Sequence, residues 1–158
     1  MKRQLGKRSQ IALLLLFSLI SAPLLAATPA AEDITVVNPY VRAVPPGQPN
    51  SAAFMQLQNK SATQHAVVRA ESPVAKAVEL HTHINEGGIM KMRQIKQIDV
   101  PAKGTTMLKP GGLHVMFLGL KSELKPDQSI PVTLIYEDGS KVTIHAKVRK
   151  IQLHMKHK

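Results

Sequence analysis

Three pairs of metal-donor side chains, each pair split by one residue, stand out in this sequence: His81 and His83, Met90 and Met92, His114 and Met116. The first two pairs share one run, LHTHINEGGIMKMR at residues 80–93, in a chain with no cysteine at all. Imidazole and thioether together make a soft, neutral set, which suits cuprous copper. Zinc prefers thiolate, imidazole and carboxylate, and calcium and magnesium require oxygen. A neutral set also balances a singly charged ion better than a doubly charged one. Cu(I) tolerates low coordination and exchanges ligands, so the chemistry fits carriage better than permanent holding.

Only some backbones let such pairs act together. In a strand, side chains two apart share a face, so each pair points one way and Thr82 points opposite His81 and His83. Gly87–Gly88 beside the first two pairs and Gly111–Gly112 before the third let the backbone turn sharply. Neighbouring antiparallel strand ends then bring the pairs within range of one ion. The rest of the chain supplies such strands. ITVVNPYVRA and SAAFMQLQN are apolar or alternating runs separated by VPPGQPN, and AVVRAES, AKAVELHTH, IMKMRQIKQIDV and TTMLKPGGLHVMFLGL follow. Ile130, Val132, Leu134 and Tyr136 alternate with other residues up to Asp138–Gly139, and Val142, Ile144, Ala146 and Val148 return, which predicts a hairpin with one buried face. Strands at turn-bounded intervals, without helical periodicity or an internal repeat, predict an all-β antiparallel sandwich or barrel.

Methionine is an ordinary core filler and histidine often a surface residue, so any one of the six alone reads as structure. Met55 and Met107, in strand-like runs with no histidine close by, are expected in the core. His65 beside Gln64 and His145 in the last strand are expected to face solvent, and residues 27–31 read as a short Ala/Thr/Pro tail. Taken together, the His and Met residues beside glycine turns point to metal.

The first residues place this chemistry outside the cytoplasm. Lys2, Arg3, Lys7 and Arg8 precede an apolar stretch from Ile11 to Ile20 and then Ser21, Ala22, Pro23 and Ala26, the layout of a secretory signal peptide over residues 1–26. About 130 residues follow, one domain's worth, enough to bury a core without a covalent staple. Loss of four basic leader residues takes the net charge from +11 to +7. The lysines are scattered and no aromatic residues interleave with them, so no nucleic-acid partner is expected. The surplus charge instead suits an acidic partner face or anionic lipid, although any single lysine reads as solvated surface. The missing cysteine excludes a thiolate nucleophile, a redox pair, an iron–sulfur cluster and a blue-copper site.

His81, ten intervening residues, Met92, twenty-one more, His114, one residue and Met116 form a spacing that resembles the copper motif of the PCuAC family of periplasmic copper chaperones. The flanks VELHTH, GIMKMR and LKPGGLHVMFLGL are similar as well, and the resemblance runs from Ile34 to Val148. It implies a cupredoxin-like Greek-key antiparallel β-sandwich as one domain over residues 27–150, without the cysteine of true cupredoxins. It implies one Cu(I) held by His81, Met92, His114 and Met116. It further implies delivery toward the binuclear copper centre of cytochrome c oxidase, the partner being the oxidase copper subunit or a thiol-containing assembly factor. His83 and Met90, one strand step away, are candidates for alternate, supporting or hand-off ligands. His154, Met155 and His157, in the basic tail at 151–158, resemble the His/Met-rich extensions of some relatives. A second ion, Cu(II) held through imidazole, is one reading of that tail, and a basic segment that binds nothing is the other.

The expected function is therefore a non-catalytic, monomeric copper carrier in the periplasm, with no stable membrane insertion after cleavage of the leader. A copper-storage or resistance protein is the neighbouring alternative. A copper-dependent oxidase or monooxygenase would need an imidazole-rich set with an open position, and no paired carboxylates or nucleophile–base pair lie near the motif. An adhesion or scaffold sandwich with incidental His/Met pairs is the remaining class.

Overall fold

The alternation that begins at Ile34 becomes ten strands in the computed structural model, which describes residues 28–150. They are β1 (Ile34–Arg42), β2 (Asn50–Asn59), β3 (His65–Glu71), β4 (Ala75–Glu86), β5 (Ile89–Gln94), β6 (Ile98–Val100), β7 (Thr105–Leu108), β8 (His114–Leu120), β9 (Ser129–Tyr136) and β10 (Lys141–Arg149). A single helical turn, α1 (Ala30–Asp33), precedes them. The expected hairpin is β9–β10, with Lys141 opposite Ile135 and Lys147 opposite Ser129, closed at Asp138–Gly139, where Gly139 takes φ 80°.

Hydrogen bonding runs β5-β4-β8-β2-β1-β10-β9-β3-β6, with β7 paired to the second half of β2. All pairs are antiparallel except one: Tyr40–Arg42 of β1 run parallel to Lys147–Arg149 of β10. One wing, β5-β4-β8-β2, folds over the other, β10-β9-β3-β6. Leu80, Val115, Phe117 and Ala53 from the first wing meet Val67, Ile130, Val132, Leu134, Tyr136, Ala146 and Val148 from the second in one buried cluster. At roughly 25 cal/mol per Å², these side chains supply the main force for folding, and no disulfide is needed.

Three expectations are corrected. His65 does not face solvent: it is 6% exposed, with Nε2 3.0 Å from Asp33 Oδ2 and Nδ1 2.6 Å from Glu137 Oε1. Both acids are remote in sequence, so nothing local betrays them. Met107 is 48% exposed rather than in the core, because β7 turns Leu108 inward and Met107 outward. Ala30 and Ala31 belong to no loose tail: Ala30 is fully buried, its N–H donates to Asp138 Oδ2, and that of Ala31 donates to Ser140 Oγ. Met55 is buried and His145 exposed, as expected. The leader and the tail at 151–158 lie outside the described residues.

Strand parity positions the donor residues. Leu80 on β4, Val115 and Phe117 on β8, and Ala53 and Met55 on β2 point into the core. Their neighbours Glu79, His81 and His83, His114 and Met116, and Ala52 and Phe54 therefore share the opposite face of the first wing.

Candidate metal centre

On that face the register sets the pairs directly across from one another. His81 of β4 lies opposite His114 of β8, and Glu79 lies opposite Met116. On the other side of β4, His83 lies opposite Met92 and Asn85 opposite Met90. The ring of His114 is the hub, with its centroid 5.8 Å from that of His81 and 5.2 Å from that of His83. A cleft of about 320 Å³ opens here, walled by Met92, His114, Met116 and His83, with Arg42 of β1, Phe54 of β2 and the Pro110–Gly111 turn. His81 does not wall the cleft; it packs beside His114. Met90, 55% exposed, stands one step farther out. The structure thus gathers three of the four motif residues with His83 around one space and sets His81 against its rim. His154, Met155 and His157 lie outside the described residues.

Hydrogen bonds decide what these rings have to offer. His114 Nδ1 is 2.9 Å from the carbonyl of Gly112 and donates to it, which leaves Nε2 as the unprotonated nitrogen. His81 Nε2 donates to Glu79 Oε2 at 2.7 Å, which leaves Nδ1 bare. Both bare nitrogens, His114 Nε2 and His81 Nδ1, are buried without a partner. Each such orphan costs on the order of 1–3 kcal/mol, and two on adjacent strands make a costly arrangement unless an electrophile fills it. A carboxylate or carbonyl on the far nitrogen is how proteins fix the tautomer and the aim of a metal-binding imidazole. Burial pushes the His114 pKa below its ordinary 6.5; the Gly112 bond opposes this, and the charges of His83, His81 and Arg42 add to it. The ring is neutral at neutral pH.

The donor set fits a soft monovalent ion. Among the described residues no three His, Asp or Glu side chains converge in metal-holding geometry, and the cleft sets the thioethers of Met92 and Met116 beside its imidazoles. Met92 is 42% exposed on β5, an edge strand, so one sulfur stays open to exchange. Sequence reasoning missed Glu79, Phe54 and Arg42. Glu79 was within reach of it, being two residues before His81 and hence on the same face; Phe54 and Arg42 arrive from β2 and β1 and give no local signal.

Comparison with known proteins adds to this geometry. The model of the LpqE-like family, described as putative lipoproteins, matches residues 34–148. A putative lipoprotein of Leifsonia xyli subsp. xyli is 34% identical over 133 residues, covering 82% of this chain and 79% of its own. The Cu(I) form of DR1885 from Deinococcus radiodurans, solved in solution, is 36% identical with TM-score 0.62, covering 77% of this chain and 86% of that one. The copper-bound PCuAC domain of PmoF2 has TM-score 0.64 at 22% identity, covering 78% and 97%, and speaks for the fold alone. These neighbours are cupredoxin-like β-sandwiches, and this chain shares that fold. The described residues contain no helix long and apolar enough to cross a membrane.

Proposed function

Because this chain belongs to the LpqE-like family, of the PCuAC type, we propose that it is an exported copper chaperone that carries Cu(I) on His81, Met92, His114 and Met116. One observation carries the reading: His114, anchored through Nδ1 to Gly112, walls a cleft with the thioethers of Met92 and Met116 and leaves Nε2 buried without a partner, and His81 packed beside it, anchored to Glu79, leaves Nδ1 in the same state. The family description as lipoproteins and the likeness to a Cu(I)-loaded relative support export and the choice of ion. The leader at 1–26 would deliver the chain to the periplasm, where it acts as a monomer and without catalysis.

The half-exposed position of Met92 on an edge strand favours carriage over storage, because a sulfur at the rim is the first to yield to an incoming ligand. The recipient would be a copper-accepting protein on the route to cytochrome c oxidase, either the oxidase copper subunit or a thiol-containing assembly factor. The tail residues His154, Met155 and His157 would take a second ion as Cu(II); truncation after Lys150 should then lower copper stoichiometry.

The test is an anaerobic Cu(I) titration of the mature chain against a colorimetric chelator, beside a Met92→Leu/Met116→Leu variant. Tight one-to-one binding that the variant loses is expected. Equal binding by both proteins would refute the four-residue site, and oxygen consumption that scales with bound copper would move the reading to an oxidoreductase.

A further inference from the structure

Arg42 places a cation where a cation is to be bound. It ends β1 and walls the same cleft as Met92, His114 and Met116. Its guanidinium lies over the Phe54 ring at 5.3 Å, and that ring lies 6.1 Å from the ring of His114, so packing sets its distance from the donors. Arg42 Nε is buried with no hydrogen-bond partner, and among the described residues Arg42 takes part in no ion pair. No acidic side chain walls the cleft, and Glu79, the carboxylate opposite Met116, is engaged by His81.

A fixed cation without a counter-ion works against capture of Cu(I), since like charges repel, more strongly away from water. Its use has to lie at another step. Donors that outcompete imidazole and thioether for Cu(I) are thiolates, and the thiolate rather than the thiol is the ligand. This chain has no cysteine, so such a ligand comes from another molecule and arrives with a negative charge.

We propose that Arg42 positions the acceptor: its guanidinium draws an incoming thiolate into the cleft and offsets its charge while copper passes to sulfur. The inference rests on the Cu(I) reading above. The thiol gives its proton to water; the thiolate forms a Cu–S bond as the bond to Met92 on the open rim breaks. A second thiolate displaces the remaining imidazole and thioether donors, leaving a two-thiolate complex of charge −1. Copper stays cuprous, so no electrons are exchanged. Arg42 is not a ligand to the metal, and its charge is of use only at the transfer step.

The experiment loads the mature chain and its Arg42→Gln and Arg42→Lys variants with Cu(I) under nitrogen. Copper loss is then followed by stopped flow to three acceptors: glutathione, a reduced Cys-x-x-Cys peptide, and the neutral chelator 2,9-dimethylphenanthroline. For Arg42→Gln the expected result is Cu(I) affinity unchanged or a few-fold tighter. Transfer to thiol should be about tenfold slower, the lower end of what electrostatic attraction adds to an encounter rate, and transfer to the neutral chelator should be unchanged. Arg42→Lys should recover most of the rate, and added salt should slow the parent but not Arg42→Gln. An effect confined to the peptide would assign the acceptor to a protein dithiol, and one shared with glutathione would assign it to thiolates in general. Equal slowing with all three acceptors, no slowing with either thiol, or failure of lysine to rescue would overturn the role. Absence of Cu(I) binding by the parent chain would instead remove the carrier reading itself, and this role with it.

Discussion

His65 and His114 each open a strand, β3 and β8, and each is buried, at 6% and 2% exposure. Their surroundings make them opposites. Both ring nitrogens of His65 face carboxylates, Asp33 at 3.0 Å and Glu137 at 2.6 Å, so the ring clamps α1 to the end of β9. His114 has one nitrogen on the Gly112 carbonyl and leaves the other bare. Burial works against charge on both rings; at His65 the two acids outweigh it, while at His114 the neighbouring His83, His81 and Arg42 reinforce it. A buried histidine is therefore a clamp or a donor according to what its second nitrogen meets, and burial alone does not tell the two apart.

Leucine at each position should break the comparison in opposite ways. His114→Leu should weaken Cu(I) binding by at least about a hundredfold, since loss of supporting partners alone is worth ten to a hundredfold. Its stability should hold within about 1 kcal/mol or rise, because an unpaired buried nitrogen disappears. His65→Leu should leave Cu(I) affinity unchanged and cost about 2 kcal/mol in urea unfolding, because Asp33 loses its charged partner and Glu137 keeps only the Ala66 N–H. A copper defect in the His65 variant, or a fold lost in the His114 variant, would erase the distinction. A smaller effect sharpens it: Glu79→Gln removes the charged acceptor that aims His81 and should weaken Cu(I) binding about tenfold. His83→Leu should do less, so that a larger loss there than at His81 would move the fourth ligand to the cleft wall.

How far the sequence made this visible depends on the range of each interaction. Period-two alternation carried β9 and β10 and their turn, and the same rule put His81 with His83 and His114 with Met116 on shared faces, because side-chain direction in a strand is a local property. Pairing between strands is not local. Nothing near His65 announces Asp33 or Glu137, and nothing near His114 announces Arg42 or Phe54, so the clamp reads locally as a surface residue and the cation in the cleft leaves no local signal. The parallel pairing of β1 with β10 was hidden for the same reason, since alternation fixes which face is buried and not which strand lies alongside. Met107 failed differently: an apolar side chain on a short strand obeyed parity and faced out.

The smallest effect tests the comparison through pH. His65 has a folded pKa above its ordinary 6.5, because its bonds to Glu137 and Asp33 outweigh the burial that opposes them. Its contribution is fully present below 6.5 and fades as pH rises through the folded value, so it gives stability a falling slope. His114 has a folded pKa below 6.5, chiefly through burial. The unfolded chain then binds the extra proton first, and this contribution is present above 6.5 and lost as pH falls through the folded value, which gives a rising slope. In the copper-free parent the two windows meet at 6.5, so the stability profile should rise toward that pH from below and fall above it. His114→Leu should leave the falling slope and His65→Gln the rising one, read as Tm against pH. Slopes of the same sign in the two variants would mean that the rings do not differ in what their second nitrogen meets, and the division into clamp and donor would fall with them.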